Sequence, residues 1–118
     1  MSRRSESVGE LNGFLDADSR IEGNLFFNDT FRIDGRLTGN VSSDGDLIVG
    51  RDSSVEGEIE VRRLFVSGKV RGSVRAERVE IAAGARVEAD VETPALLIEE
   101  GAYFQGHCSM ESDAISER

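Results

Sequence analysis

The two residues best suited to chemistry, His107 and Cys108, are neighbours near the end of the 118-residue chain. A thiolate beside an imidazole is a common nucleophile and base pair in covalent catalysis. Neighbouring side chains of a strand point to opposite faces, however, so this pair cannot act together if the segment is a strand. The chain has one histidine and one cysteine, which excludes an internal disulfide and a cysteine-rich metal site. We expect His107 at the surface and Cys108 on the inward side, as a buried thiol.

Other signatures of chemistry are missing from the sequence as well. No G-x-x-x-x-G-K-[ST] loop is present, which argues against a nucleotide-driven assembly. The aspartates do not follow the G-G-x-G-x-D calcium repeat. The formal net charge of −9 argues against binding to nucleic-acid phosphates. No segment reaches the ~18 apolar residues of a membrane span, and no signal peptide is evident. We therefore expect a cytoplasmic protein that is not an enzyme and needs no cofactor or metal.

What the chain does contain is a repeated five-residue unit, apolar-x-Gly-x-apolar. The stretch "RIDGRLTGNV" includes one copy, Leu37 to Val41. The central residues of the six copies lie 15 to 18 positions apart along the chain, and one of them is alanine. They are Gly23, Gly39, Gly57, Gly72, Ala89 and Gly106. Such a fixed period is typical of a solenoid.

A second unit of alternating apolar residues recurs in step with the first. Its copies are Phe31–Ile33, Leu47–Val49, Leu64–Val66, Val79–Ile81 and Leu96–Ile98. Helical spacing fits neither unit, whereas short strands fit both. Parallel strands need crossovers of a dozen or more residues, and such crossovers are almost always right-handed. The sequence therefore predicts an all-β fold, a right-handed parallel β-helix of about six turns with three sides. We expect glycine at the corners because the backbone turns tightly around the core there and an inward Cβ would crowd its neighbours.

Charged residues next to the apolar positions support this register. If the turns stack, residues at equivalent positions become neighbours, and opposite charges are then favourable. Two such ladders alternate in sign: Glu56, Arg71, Glu88 and Glu60, Arg75, Glu92.

The predicted domain spans residues 14–110, between flexible tails at 1–13 and 111–118. Large apolar residues gather in its first and last turns, and we see no polar cap that would cover them. They predict a polymer interface formed by Leu25, Phe26, Phe27, Tyr103 and Phe104. The alternative is that they plug the core ends of a monomer.

A second surface follows from the outward positions of the second unit, where Ile48, Phe65 and Leu97 are large and apolar. Such a stripe marks a contact surface, for lateral bundling or for a partner protein. Alternatively, the third side of the coil or the N-terminal segment covers it. Arg3 and Arg4 could contact an anionic membrane surface, at about 1 kcal/mol each.

The segments "DLIVGRDSSVEGEI", "LFVSGKVRGSV" and "TPALLIEEGAYFQGHCSM" resemble the bactofilins, a bacterial cytoskeletal family. The resemblance covers residues 13–110. It implies a β-helix that polymerises end to end without nucleotide into non-polar filaments. It also implies a scaffold for cell-shape, cell-wall or chromosome-positioning proteins, with unknown clients, and inner-membrane contact through the N-terminal segment.

The sequence thus predicts a self-polymerising scaffold. The alternative is a discrete binding module or a trimeric acyltransferase of the hexapeptide type. That enzyme class also forms a β-helix, but its repeat is six residues and it uses a catalytic histidine. A spacing of 15 to 18 residues and the position of His107 fit it poorly.

Overall fold

The computed structural model describes residues 13–110, and every regular element in that range is a β-strand. All strand pairs in this range are parallel. The strands are β1 (Gly13–Leu15), β2 (Arg20–Phe27), β3 (Thr30–Ile33), β4 (Arg36–Ser43), β5 (Asp46–Val49), β6 (Ser54–Glu60), β7 (Arg63–Val66), β8 (Lys69–Arg75), β9 (Arg78–Ile81), β10 (Arg86–Glu92), β11 (Leu96–Ile98), β12 (Tyr103–Gln105) and β13 (Cys108–Ser109).

The chain alternates between two sheets, which we call the short-strand and the long-strand sheet. The short-strand sheet has the order β1-β3-β5-β7-β9-β11, and the long-strand sheet has the order β12-β10-β8-β6-β4-β2, with β13 also on β10. The long strands β2, β4, β6 and β8 each bend at a central glycine of positive φ, whereas β10 has Ala89 at that position. In the last turn the two halves are the separate strands β12 and β13. The bend divides the long-strand sheet into two faces. The predicted parallel β-helix of about six turns and three sides is therefore confirmed, while its hand stays a prediction.

The core is a set of columns that run along the coil axis. One column stacks Leu37, Val55, Val70 and Val87, each directly beside the next in the strand register. All four are buried, with at most 2% of their surface exposed. Because neighbouring turns lie about 4.8 Å apart, an apolar residue at one inward position requires apolar residues above and below it.

The central glycines avoid a clash between neighbouring turns of the coil. Gly57 has a φ of 137°, a conformation that L-residues rarely adopt. A Cβ on Gly57 would collide with the backbone carbonyl oxygen of Gly39 in the preceding turn, not with the core. The predicted crowding of neighbours is therefore present, but its direction is along the coil axis and not inward. Ala89 is the exception among the central residues: it has no positive φ and its side chain is buried.

The charge ladders confirm the predicted register. Glu56 and Glu88 lie on either side of Arg71, and Glu60 and Glu92 lie on either side of Arg75. Arg71 and Glu88 are 3.4 Å apart, and Arg75 and Glu92 are 3.3 Å apart. Exposed pairs of this kind contribute about 0.2–1 kcal/mol each. They therefore favour the correct register more than they stabilise the fold.

Gly57 and Gly23 have nearly the same φ but different surroundings. Replacing each by alanine therefore separates the conformational cost of the substitution from its steric cost. Gly57→Ala should lower the free energy of unfolding by more than the ~1–3 kcal/mol of an unfavourable φ, because the new Cβ also meets Gly39. Gly23→Ala is the matched control, since its φ is 132° and nothing lies within 4 Å of the new Cβ. Urea unfolding at equal protein concentration measures both variants. Equal losses of unfolding free energy in the two variants would show that the contact with the preceding turn is not the reason for glycine at position 57.

Candidate functional site

The C-terminal end of the coil exposes a cross-section of the core. Four residues of the last turn continue inward columns: Leu96, Ile98, Phe104 and Cys108 stack on Val79, Ile81, Val87 and Val91. The four residues beneath are at most 3% exposed. Ile98, by contrast, is 41% exposed and Cys108 is exposed, because no described turn lies above them. We call this surface the C-terminal end face.

Tyr103 lies at the rim of the C-terminal end face and not at its centre. It is an outward residue, next to Arg86 in the register. The Arg86 guanidinium lies over the tyrosine ring, 4.3 Å from its centroid, which is a cation–π contact. The Tyr103 hydroxyl donates a hydrogen bond to Oε1 of Gln105 at 2.7 Å. These contacts hold the ring against the outer wall of the coil.

The N-terminal end face has a similar construction. Leu25 continues the column of Val41, and it is only partly buried because β2 is the outermost strand of its sheet. Phe27 packs against the core and against Phe31, with 5.4 Å between the ring centroids. Phe26 points outward and is 78% exposed. The predicted N-terminal group therefore divides into two end-face residues and one residue of the side wall.

Both ends also expose the edges of the sheets. β1 and β2 are the first strands of their sheets, and β11, β12 and β13 are the last. Within residues 13–110, each pairs with a neighbouring strand on one side only. An edge of this kind offers backbone N–H and C=O groups to another strand. Each end thus combines an apolar centre with a sheet edge that no strand of residues 13–110 pairs.

The single cysteine corrects one prediction. Cys108 occupies an inward register position, as expected, but it is exposed and not buried. The alternation of the strand gave the direction of the side chain correctly, but the core ends at this turn. Partial burial still raises the pKa of the Cys108 thiol. His107 is exposed, and its backbone N–H donates to Oδ1 of Asp90 at 3.3 Å.

The predicted apolar stripe lies on the outer surface of the short-strand sheet. Ile48 and Phe65 are direct neighbours, and Leu97 follows beyond Glu80. Leu97 is 48% exposed, and Ile48 and Phe65 are partly exposed. The other sides of the coil therefore do not cover the stripe. The N-terminal segment, with Arg3 and Arg4, lies outside the described residues.

A comparison with protein-family models decides the family. The model described as "Bactofilin: Polymer-forming cytoskeletal" matches residues 13–109, almost the whole described coil. The chain belongs to the bactofilin family. It is 32% identical to Bactofilin BacO of Myxococcus xanthus (strain DK1622) over 92 residues, which are 77% of this chain and 73% of BacO. It is also 32% identical to Bactofilin BacP of the same strain over 91 residues, 76% of this chain but only 38% of BacP.

A solved bactofilin structure resembles this bactofilin fold closely. The cryo-EM reconstruction of Thermus thermophilus bactofilin double helical filaments matches with a TM-score of 0.79 and 34% sequence identity. The match covers 82% of this chain and 97% of that chain. Membership of a polymer-forming cytoskeletal family supports the scaffold and not the acyltransferase alternative. Within residues 13–110, no helix is long and apolar enough to cross a bilayer.

Sequence reasoning missed two exposed apolar residues in the strands of this bactofilin. Ile98 belongs to the C-terminal end face. The sequence feature that could have identified it is its position at the end of the last copy of the second unit. Phe14 is 53% exposed and extends the stripe of the short-strand sheet, where it lies beside Arg32. Its signal was the alternation of Gly13 to Leu15, eighteen residues before Phe31 to Ile33. Gly13, the last residue of the predicted N-terminal tail, is the first residue of β1.

The raised pKa of Cys108 gives a pH-dependent prediction. Only the thiolate reacts with alkylating agents, so a raised pKa leaves less thiolate at a given pH. At pH 8, iodoacetamide should label Cys108 more slowly in the folded protein than in the same chain unfolded in urea. The difference should shrink as the pH rises above both pKa values. Faster labelling of the folded chain at pH 8 would contradict the raised pKa.

Proposed function

We propose that this protein is a cytoskeletal scaffold that polymerises end to end through its two end faces. The observation that carries the proposal is the exposure of core columns in the last turn. Ile98 is 41% exposed, whereas Ile81 directly beneath it is 1% exposed. A second molecule at this end would supply the missing layer, bury the apolar side chains and pair the sheet edges.

Two end faces on one molecule allow the contact to continue without limit. Each added molecule presents a free end face, so the assembly does not close. The driving forces are apolar burial and backbone hydrogen bonds, and neither requires a chemical step. We therefore propose that assembly needs no nucleotide or other cofactor. The filaments of the Thermus thermophilus relative support this proposal.

The proposed role is that of a non-enzymatic scaffold in the bacterial cytoplasm. A polymer with identical outer faces can hold many copies of a client protein in a row, at high local concentration. Cell-shape, cell-wall or chromosome-positioning proteins are the proposed clients, by resemblance to the family. Contact with the inner membrane through Arg3 and Arg4 is a further part of the proposal. Each arginine would contribute about 1 kcal/mol near an anionic surface, and polymerisation would multiply that effect.

A charge in the centre of the C-terminal end face should block assembly. Phe104→Arg places a guanidinium where a second molecule would bury the ring, and desolvation of that charge is unfavourable. We expect filaments to disappear from negative-stain images and the protein to stay in the supernatant after ultracentrifugation. Gln105→Arg is the matched control, because it adds the same charge to the outer side of the same strand. Abundant filaments from Phe104→Arg would disprove this interface.

The N-terminal end face offers an equally sharp pair of variants. Leu25→Arg should block polymerisation, because Leu25 continues a core column. Phe26→Arg should leave polymerisation intact, because Phe26 points outward from the side of the coil. Sedimentation without added nucleotide measures both variants, and circular dichroism checks that each remains folded. Loss of filaments in Phe26→Arg alone would show that the polymer contact lies on the side wall and not on the end face.

A further inference from the structure

The outer surface of the short-strand sheet has a symmetrical pattern that the end faces do not explain. One outward residue from each of its six strands forms a single column along the coil axis. In spatial order the column is Phe14, Arg32, Ile48, Phe65, Glu80 and Leu97. The chemical types run apolar, cation, apolar, apolar, anion, apolar. The apolar residues therefore occupy the same positions whether the column is counted from its first or its last turn. The cation is second from one end, and the anion is second from the other end.

We propose that this face binds the same face of a second copy of the chain in an antiparallel orientation. The two copies would be related by a two-fold axis that lies between the faces, at right angles to the coil axis. The axis passes between Ile48 and Phe65. This inference rests on the proposed function, because the two copies belong to two neighbouring filaments. It adds to end-to-end assembly a specific side-to-side contact.

The charges select the antiparallel orientation. In it, Arg32 of one copy faces Glu80 of the other, Ile48 faces Phe65, and Phe14 faces Leu97. A parallel arrangement about a two-fold axis along the coil would place Arg32 against Arg32 and Glu80 against Glu80. Like charges directly opposite each other disfavour that arrangement, whereas the antiparallel one forms two opposite-charge pairs.

The neighbouring column on the same face is compatible with this orientation. It consists of Thr30, Asp46, Arg63 and Arg78 in spatial order. The same two-fold axis places Asp46 of one copy opposite Arg63 of the other. Within one chain these two side chains already form a bidentate ion pair, with both N–O distances 3.0 Å. Two such pairs stacked head to tail across the contact would form a group of four alternating charges.

Arg32 and Glu80 also have partners inside their own chain. Arg32 Nε lies 3.2 Å from Asp34, and Arg78 Nε lies 2.7 Å from Glu80. Burial of an unpaired charge would be unfavourable, but a charge that keeps its partner is less costly to desolvate. The contact therefore adds a second partner to Arg32 and Glu80 and isolates neither of them.

The size of the face indicates when the contact forms. Six strands at about 4.8 Å spacing, each about four residues wide, give roughly 300–400 Å². A specific protein–protein interface usually buries about 800 Å² on each partner. A single pair of molecules should therefore not associate through this face. Along two filaments the contact repeats with every matching pair of molecules, so its free energy accumulates.

A charge-exchange experiment tests the contact in the full-length chain. Arg32→Glu and Glu80→Arg each place like charges opposite one another in both pairs of the antiparallel contact. Each single variant should form filaments in normal amounts, but the paired fraction in electron micrographs should fall to about one tenth or less. The double variant Arg32→Glu/Glu80→Arg restores opposite charges and should restore pairing. Arg36→Glu is the matched control, because Arg36 lies in the same region of the coil but on the long-strand sheet.

The outcomes separate this inference from the proposed function. Absence of wild-type filaments would overturn the proposed function, and the inference with it. Wild-type filaments that are single would overturn the inference alone, and pairing after deletion of residues 2–12 would then identify the N-terminal segment as the occupant. Single variants that pair as the wild type does would also overturn it, as would a double variant that stays single. Loss of pairing in Arg36→Glu would show that the long-strand sheet forms the contact.

Discussion

The hydrogen-bonded stacking of one turn on the next, about 4.8 Å along the axis, is the constraint on which the rest of the structure depends. Because the turns are parallel and in register, every position meets its own equivalent in the turns above and below. An inward position must therefore be apolar in almost every turn, as in the column of Leu37, Val55, Val70 and Val87. The same constraint explains Gly39, Gly57 and Gly72, where a Cβ would enter the backbone of the preceding turn.

A stack of this kind has no natural end, and this property connects the fold to the function. In the middle of the coil each layer covers its neighbour, so Ile81 is buried. At the last turn the same architecture exposes Ile98, and no strand within residues 13–110 pairs with the outer edge of that turn. In the proposed end-to-end contact, the force that holds the molecule together would also favour the addition of another molecule. Assembly and folding would then use the same interactions, and no separate binding domain would be needed.

The side walls show how the same repetition creates surfaces. Outward residues also form columns, but burial does not restrict their chemical type, so they can carry a pattern. On the long-strand sheet the ladders of Arg71 and Arg75 alternate in sign along the axis and satisfy charges within the chain. On the short-strand sheet the column from Phe14 to Leu97 is self-complementary instead. A uniform coil can in this way present faces with different partners.

The amino-acid sequence by itself determined the fold class, the number of turns and the strand register. These properties depend on periodic local choices, such as the apolar residues around Gly57 and the charges at Glu56, Arg71 and Glu88, which are visible in one dimension. Only the tertiary structure decided which of these positions are covered. Cys108 has the same alternation as Val91, yet it is exposed, because burial depends on whether another turn lies above it. Two further assignments depend on neighbours that lie far apart in the chain. Leu25 belongs to the end face whereas Phe26 belongs to the side wall, and Phe14 belongs to the apolar stripe.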